Sequence, residues 1–150
     1  MEIFDSKIES LFSELGTHKN MVLSTSYEDK VTSRMMSIII FKGNFYFQTD
    51  ITFRKYQQIN NNHNVALCVD NFSLEGICTE IGKPTDHPDF INLYKKHYNW
   101  SYNKYSKLDN ERLFKISPQY VQRWIYENDT PYVESFDFVN RVYNKEIYKC

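Results

Sequence analysis

The sequence predicts a single α+β domain built around a barrel-like sheet of six or seven antiparallel strands. Short β-branched and aromatic runs recur between tight polar turns, and helical periodicity is confined to a few segments. Aromatic residues make up 17% of the chain, which favours strands or a pocket for a flat ligand. No GxGxxG or Walker loop is present, so a βαβ nucleotide-binding sheet is not indicated. The 150 residues therefore suit one domain with one core.

An amphipathic helix is predicted at the N-terminus, over residues 3–16. Asp5 or Ser6 is a candidate for its N-cap, and Gly16 supplies the left-handed residue that ends many helices. One apolar stripe runs along this helix. The residues that recur at helical spacing are Phe4, Ile8, Leu11, Phe12 and Leu15.

The barrel is predicted over residues 18–126, with a C-terminal extension over 127–150. Two further helices are predicted at 52–60 and at 88–98, the second from the helical spacing of its apolar residues. The polar stretch 101–110 is predicted as a turn. Seven segments with strand character lie in the barrel, at 21–26, 31–41, 44–49, 65–70, 73–81, 112–116 and 120–126, and a further candidate, 132–139, lies in the extension.

Composition argues against several classes of partner. The net charge of −1 and the pI of about 6.4 provide no basic field for nucleic acid or for an anionic membrane. No leader-like segment and no run of about eighteen apolar residues occurs, so we expect a cytoplasmic protein without a membrane segment.

Three irregularly spaced cysteines indicate neither zinc nor disulfides. Cys68 and Cys78 are expected to be buried, and Cys150 to be a free thiol.

Two cations open the second predicted helix, directly after an aromatic strand. Arg54 and Lys55 fall in its first turn, where the helix dipole disfavours each positive charge by about 0.3–1 kcal/mol. A phosphate is the simplest anion that would remove this cost, because backbone N–H groups, a guanidinium and an ammonium can all bind it. Thr52 is expected to cap the helix. The alternative is a solvated helix face that binds no ligand.

Arg34 is the second anomaly in the sequence. Strand alternation places it on the face that also carries Met36, Ile38 and Ile40, so that its guanidinium lies beside apolar neighbours and needs a partner. The alternative is an arginine at the exposed end of the strand, which reaches water or pairs with a nearby Asp or Glu.

The segment Thr-Asp-Ile-Thr-Phe-Arg-Lys at 49–55 resembles the phosphate-binding segment of the FMN-binding split barrels related to pyridoxamine 5'-phosphate oxidase. Other segments occur in the order and spacing of that family, and the resemblance covers about residues 18–126. It implies an antiparallel split β-barrel with flanking helices, bound FMN, and a homodimer that buries the cofactor between two subunits. The other matching segments are Met-Val-Leu-Ser-Thr-Ser at 21–26, Thr-Ser-Arg-Met-Met-Ser at 32–37, Val-Ala-Leu-Cys-Val-Asp at 65–70 and Leu-Glu-Gly at 74–76.

The resemblance also implies which residues hold the cofactor. Residues 34–37 are expected along the flavin ring and residues 49–55 around its phosphate. Phe53 stands where the family often has a small serine, which removes one phosphate donor. Asn71 would reach the flavin of the opposite subunit, unless it is only a hairpin-turn residue. The expected set is Arg34, Met35, Met36, Ser37, Thr49, Asp50, Thr52, Arg54, Lys55 and Asn71.

The function that the resemblance implies is that of an FMN-dependent oxidoreductase acting on an unidentified small substrate, with NADH or NADPH as a candidate electron donor. The run Arg141-Val142-Tyr143 does not reproduce the Arg-x-His element that grips the substrate of pyridoxamine 5'-phosphate oxidases, so that particular activity is not expected. No side chain is assigned to catalysis or to a metal. Two alternatives stay open: a dimeric flavin-binding protein without turnover, and the same barrel holding haem or a deazaflavin.

Overall fold

The computed structural model describes residues 2–149, and Cys150 lies outside them. Over this range, eight strands and four α-helices follow one another, and no helix combines the length and hydrophobicity needed to cross a membrane. The helices are α1 (Glu2–Leu15), α2 (Arg54–Asn61), α3 (Pro88–His97) and α4 (Asn99–Tyr105), with a 3-10 turn at Pro84–Asp86. The strands are β1 (His18–Tyr27), β2 (Lys30–Phe41), β3 (Asn44–Asp50), β4 (Asn64–Val69), β5 (Phe72–Glu80), β6 (Glu111–Glu127), β7 (Thr130–Asp137) and β8 (Val142–Ile147).

Six of these strands form a closed antiparallel barrel in the order β3-β2-β1-β4-β5-β6. The barrel closes because β6 pairs with β3 as well as with β5, in a register that runs from Phe45↔Ile116 to Asp50↔Glu111. The strands β7 and β8 continue the sheet from β6 beyond the barrel. The predicted α+β split barrel with flanking helices is confirmed, with six barrel strands and two additional ones.

The strand β6 runs through 17 residues where the sequence predicted two shorter strands. A bulge lets it continue past its proline: Gly76 of β5 lies opposite Pro118, while Glu75 lies opposite Tyr120, so Gln119 has no partner in this register. A Cβ built on Gly76 would lie 2.6 Å from Ile116 Cγ2, which explains why a glycine stands at the bulge.

Two elements in the second half of the chain were not predicted. Residues 99–105 form α4, so the turn predicted over 101–110 is wrong for its first five residues. The helix forms in a mostly polar segment because Tyr102 packs onto the core while the other side of the helix faces solvent. The strand β8 is exposed at nearly every position, so it lacks the alternation that would reveal a strand, and it is held by its pairing with β7.

For α1, the predicted C-terminal end is confirmed and the predicted N-cap is wrong. The helix extends to Glu2, so neither Asp5 nor Ser6 caps it, and Asp5 instead forms an ion pair with Arg141. At the other end Gly16 has a φ of 77° and donates its N–H to the carbonyl of Phe12, which is the predicted helix stop.

The core has two parts. The larger part is the barrel interior, together with Phe4 and Leu11 of α1 and Ile59 of α2. The smaller part lies where Ile39, on the outer face of β2, meets Phe90 of α3. The two helices α3 and α4 therefore cover one flank of the barrel, and the candidate site lies beside them.

The two described cysteines differ in burial. Cys78 is buried as predicted, whereas Cys68 is exposed, so the prediction for Cys68 is wrong. Alternation along β4 places Leu67 in the barrel interior and turns Cys68 to the outer face. Both thiols are free.

Candidate functional site

A cavity of about 390 Å³ opens between β2 and β3 and is completed by α3, α4 and the start of β6. The β2–β3 ladder extends only from Phe41↔Asn44 to Ile39↔Tyr46. Beyond that point the two strands are not paired, and the cavity lies between residues 35–37 of β2 and the end of β3. Its volume is typical of small-molecule sites. Its walls are formed by Met35, Met36, Ser37, Gln48, Thr49, Asp50, Phe53, Lys55, Tyr94, Ser101, Tyr105, Leu108 and Glu111.

Most of the site residues expected from the sequence meet at this cavity. Arg34, Thr52 and Arg54 are chain neighbours of the cavity wall without lining it, and Asn71 lies at the β4–β5 turn, away from the cavity of its own chain. The six expected residues that line the cavity are Met35, Met36, Ser37, Thr49, Asp50 and Lys55.

The connection from β3 to α2 is organised by Asp50. Its Oδ1 accepts hydrogen bonds from the Thr52 backbone N–H at 2.8 Å and from the Thr52 hydroxyl at 2.7 Å, and these bonds lower the pKa of the Asp50 carboxyl. Because the Thr52 hydroxyl is donated to Asp50, the prediction that Thr52 caps α2 is wrong. The N-cap is Phe53, which makes no side-chain cap, and the first turn of α2 contains no acidic residue.

Arg34 lies on the inner face of β2, as strand alternation predicted, and hydroxyls surround its guanidinium. Its Nη1 donates to the Leu23 carbonyl at 3.2 Å and to Thr25 Oγ1 at 2.8 Å, and its Nη2 donates to Thr32 Oγ1. Both threonine hydroxyls donate in turn to Oε1 of Gln58, a buried residue of α2. This network ties Arg34 to α2 through neutral groups alone.

Three cations lie close enough together for their charges to act on one another. Burial and the charge of Arg54 lower the pKa of Arg34. Burial and the charge of Arg34 lower the pKa of Lys55, with a partial offset from Glu111 and Asp50. Across residues 2–149, none of the three forms a salt bridge with a carboxylate. The alternative in which Arg34 pairs with an Asp or Glu is therefore wrong for the described chain.

Thr49 carries an unpartnered polar atom in the cavity wall. Its side chain is 4% exposed, and Oγ1 is the one fully buried side-chain oxygen or nitrogen in the described range that has no hydrogen-bond partner. Leaving such a hydroxyl unpaired costs about 1–3 kcal/mol, so its presence calls for an explanation. A ligand that supplies a hydrogen-bond partner is one such explanation.

A chain of buried polar groups forms another part of the wall. Ser106 donates to Gln48 Oε1 at 2.7 Å, and Gln48 Nε2 donates to Glu111 Oε2 at 3.0 Å. All three side chains are less than 8% exposed. Burial, with a smaller contribution from the charge of Asp50, raises the pKa of Glu111 to about 7, and this net value includes the opposing effects of Lys55 and of the bond from Gln48.

Sequence reasoning missed Gln48, Glu111 and Tyr94 as cavity residues. Gln48 directly follows three aromatic residues in its strand, and an amide in such a strand was the available signal. Glu111 precedes a predicted strand, where an exposed acid is ordinary, and Tyr94 looked like a plain core residue of α3. Their positions at the cavity depend on barrel closure and on the packing of α3, which no local pattern encodes.

Asn71 forms a local contact in this chain. Its Nδ2 donates to the backbone carbonyl of Trp124, which fastens the β4–β5 turn to β6. This contact agrees with the hairpin-turn alternative. A contribution of Asn71 to the cavity of a second subunit stays a prediction.

No protein-family model matches the chain, and a search of curated proteins finds no match. Solved structures do match. General Stress Protein 26 from Bacillus anthracis is 25% identical, with 81% of this chain and 92% of that chain covered and a TM-score of 0.58. A pyridoxamine 5'-phosphate oxidase-related, FMN-binding protein from Nostoc punctiforme is 14% identical, with 99% and 94% covered and a TM-score of 0.61.

A third similar structure is that of a haem storage protein. HutZ, the haem storage protein from Vibrio cholerae, is 11% identical to this chain, with 77% of this chain and 89% of that chain covered and a TM-score of 0.59. Each of the three similarities covers at least 77% of this chain. The resemblance inferred from the sequence is confirmed at the level of the fold.

Proposed function

We propose that this chain, which has the split-barrel fold of the pyridoxamine 5'-phosphate oxidase-like FMN-binding proteins, binds FMN in the cavity between β2 and β3 and uses it in oxidation and reduction. The observation that carries the proposal is the group of three cations, Arg34, Arg54 and Lys55, which forms no salt bridge with a carboxylate in the described chain. Lys55 also shares the cavity wall with Thr49, whose buried hydroxyl has no partner.

The hydrogen-bond donors around Lys55, at the start of α2, fit a phosphate monoester. A phosphate carries close to two negative charges at neutral pH and three acceptor oxygens. Lys55 in the cavity wall offers a point charge, and its chain neighbour Arg54, beside the wall, offers a planar fork, both in the uncapped first turn of α2. The Thr49 hydroxyl offers a further donor. The Lys55 ammonium lies 4.7 Å from the centre of the Phe53 ring, so Phe53 supports the ammonium in place of the serine that the family often has.

The rest of the cavity suits a flat ring system. Met35, Met36 and Ser37 supply apolar side chains and backbone groups along one wall, and Tyr94 and Tyr105 supply aromatic surface on another. Because Arg34 is grouped with Arg54 and Lys55, we assign it to the phosphate end, where its network with Gln58 would hold the guanidinium in position.

Bound FMN would supply the electron transfer, since the flavin itself accepts and donates electrons. The protein residues would bind its phosphate, fix its orientation and limit the access of water. We propose a small, planar substrate and NADH or NADPH as the donor. The alternative of flavin binding without turnover applies if no donor reduces the bound cofactor.

We further propose that two copies of the chain form the complete site. The mouth of the cavity is rimmed by apolar residues that are at least 40% exposed, and such a rim is typical of a surface covered by a partner. Asn71 of a second copy would then contribute to the cavity, as the resemblance implies. The rim residues are Met35, Phe53, Tyr105 and Leu108.

The similarity to a haem storage protein makes haem the main competing cofactor. The described wall of the cavity contains no histidine or cysteine, the side chains that most often hold haem iron, although it contains methionine and tyrosine. The cation group and Thr49 also suit a phosphate better than an iron centre. The residues of the cavity wall and the neighbouring cations therefore favour FMN over haem.

The decisive experiment is an absorbance spectrum of the purified protein, before and after addition of FMN, with mass spectrometry of any released ligand. We expect a yellow protein with two flavin bands that bleach under dithionite. A Soret band would indicate haem instead, and a colourless protein that does not take up FMN contradicts the proposal. Anaerobic addition of NADH or NADPH, followed by reoxidation with candidate acceptors, separates turnover from binding alone.

A further inference from the structure

Glu111 is a buried carboxyl that faces the cavity and has no part in holding a phosphate. Its Oε2 accepts the bond from Gln48, whose amide is oriented in turn by Ser106. Its other oxygen, Oε1, makes no hydrogen bond to any described residue, and Glu111 forms part of the cavity wall. The carboxyl is therefore fixed in orientation and has one oxygen free to hold a proton.

Charged and titratable groups from each neighbouring element surround this carboxyl. Asp50 lies directly opposite on β3, and Lys55 approaches from α2. Tyr94 of α3 and Tyr105 of α4 line the same cavity. On β6 itself, the Arg112 guanidinium is bonded to the backbone carbonyl of Glu111 and not to its carboxylate. Lys55 is thus the cation that most directly favours the ionised form of Glu111.

Asp50 and Glu111 respond differently to this environment. The hydrogen bonds from Thr52 lower the pKa of Asp50, so it stays ionised, whereas burial raises the pKa of Glu111 to about 7. Of the two carboxyls in the wall, Glu111 is the one that changes its charge near neutral pH.

On the basis of the proposed function, we propose that binding of an anionic ligand in this cavity is accompanied by uptake of up to one proton from solvent onto Glu111. A phosphate beside Lys55 would offset the positive charge that stabilises the Glu111 carboxylate, and a ring filling the cavity would remove water from it. Both effects favour the neutral acid. Linkage then requires that protonation of Glu111 strengthen binding of the ligand to the same extent.

The test is the dissociation constant of FMN measured from roughly pH 7 to 8.5, a range in which a phosphate monoester has already lost its second proton. For the wild-type chain we expect the constant to rise with pH, by up to about tenfold per unit. Glu111→Gln keeps the acceptor for Gln48 but cannot ionise, so its constant should stay flat and be lower than that of the wild type at the alkaline end.

The matched control is Glu75→Gln, which removes the same charge from an exposed position on β5 outside this cavity. It should keep the wild-type slope. A slope in Glu111→Gln equal to that of the wild type overturns the proton coupling but leaves FMN binding intact. Failure of the wild-type chain to bind FMN at any pH contradicts the proposed function as well.

A second measurement needs no variant and decides the case if Glu111→Gln does not fold. Calorimetric titration of the wild-type chain with FMN in two buffers of different protonation enthalpy gives the number of protons bound per ligand. We expect uptake of a fraction of a proton, approaching about one at the alkaline end of the range. Binding with no proton uptake overturns the proposal.

Discussion

Asp50 and Glu111 are register partners on β3 and β6, yet their carboxyl pKa values shift in opposite directions. Asp50 is stabilised as a carboxylate by two hydrogen bonds from Thr52, whereas Glu111 is buried and receives a single bond from Gln48. Two acids side by side at one cavity therefore differ in charge near neutral pH. The cavity keeps one fixed negative charge and one that depends on pH.

Glu111 should make the stability of the ligand-free protein depend on pH. Its folded pKa of about 7 exceeds the ordinary value of 4.5, so the folded state binds the proton more tightly than the unfolded state. The stabilising contribution is complete below pH 4.5 and is lost as the pH rises through about 7, in total roughly 3 kcal/mol.

Glu111→Gln should therefore gain stability relative to the wild type across this interval and keep a constant advantage above it. Urea unfolding of both proteins at a series of pH values measures the difference. Stability curves that run parallel from acid to neutral pH would show that Glu111 titrates normally.

Removal of the two charges at the start of α2 should weaken FMN binding while the fold survives. We expect Arg54→Ala combined with Lys55→Ala to lose roughly 2–4 kcal/mol of binding free energy, at about 1–3 kcal/mol per charge-assisted bond with incomplete additivity. Fluorescence titration with FMN measures the loss. Lys95→Ala with Lys96→Ala, an adjacent exposed pair on α3, is the control for net charge. Full flavin content in the double variant would exclude these two residues as phosphate ligands.

Thr49 should affect stability and binding in opposite directions. Because its buried hydroxyl has no partner in the described chain, Thr49→Val should stabilise the ligand-free protein by about 1 kcal/mol. The same change should weaken FMN binding about fivefold, since the ligand loses a donor. Thermal unfolding without ligand and FMN titration measure the two effects. A loss of stability together with unchanged affinity would mean that Thr49 has a packing role only.

Met35 should report on the proposed dimer. Its side chain is 62% exposed on the outer face of β2, at the rim of the cavity. Met35→Glu would place an unpaired charge in an interface formed there, which should weaken association by at least about 2 kcal/mol, or roughly thirtyfold. Sedimentation velocity over a range of concentrations measures the effect. Val139→Glu, a similarly exposed position after β7, is the control. A wild-type chain that sediments as a monomer with full flavin would contradict the dimer proposal.

Local patterns in the sequence were sufficient for most of the architecture. Alternation of apolar and polar residues identified the strand segments, and Gly16 marked the end of α1. Alternation also placed Arg34 on the inner face of β2, and the first-turn position of Arg54 and Lys55 was visible without coordinates. These features depend on residues within a few positions of one another, where backbone geometry leaves few alternatives.

Which residues form the cavity wall, and which of them are charged, depended on contacts between residues far apart in the chain. Closure of the barrel brings Glu111 opposite Asp50, and packing of α4 brings Ser106 to Gln48 across 58 positions. From the sequence, the Thr52 hydroxyl could cap α2 or hydrogen-bond to Asp50. In the folded turn it donates to Asp50. Burial is the main cause of the raised pKa of Glu111, and burial is a property of the assembled fold. In the unfolded chain the same glutamate would be solvated and would have an ordinary pKa.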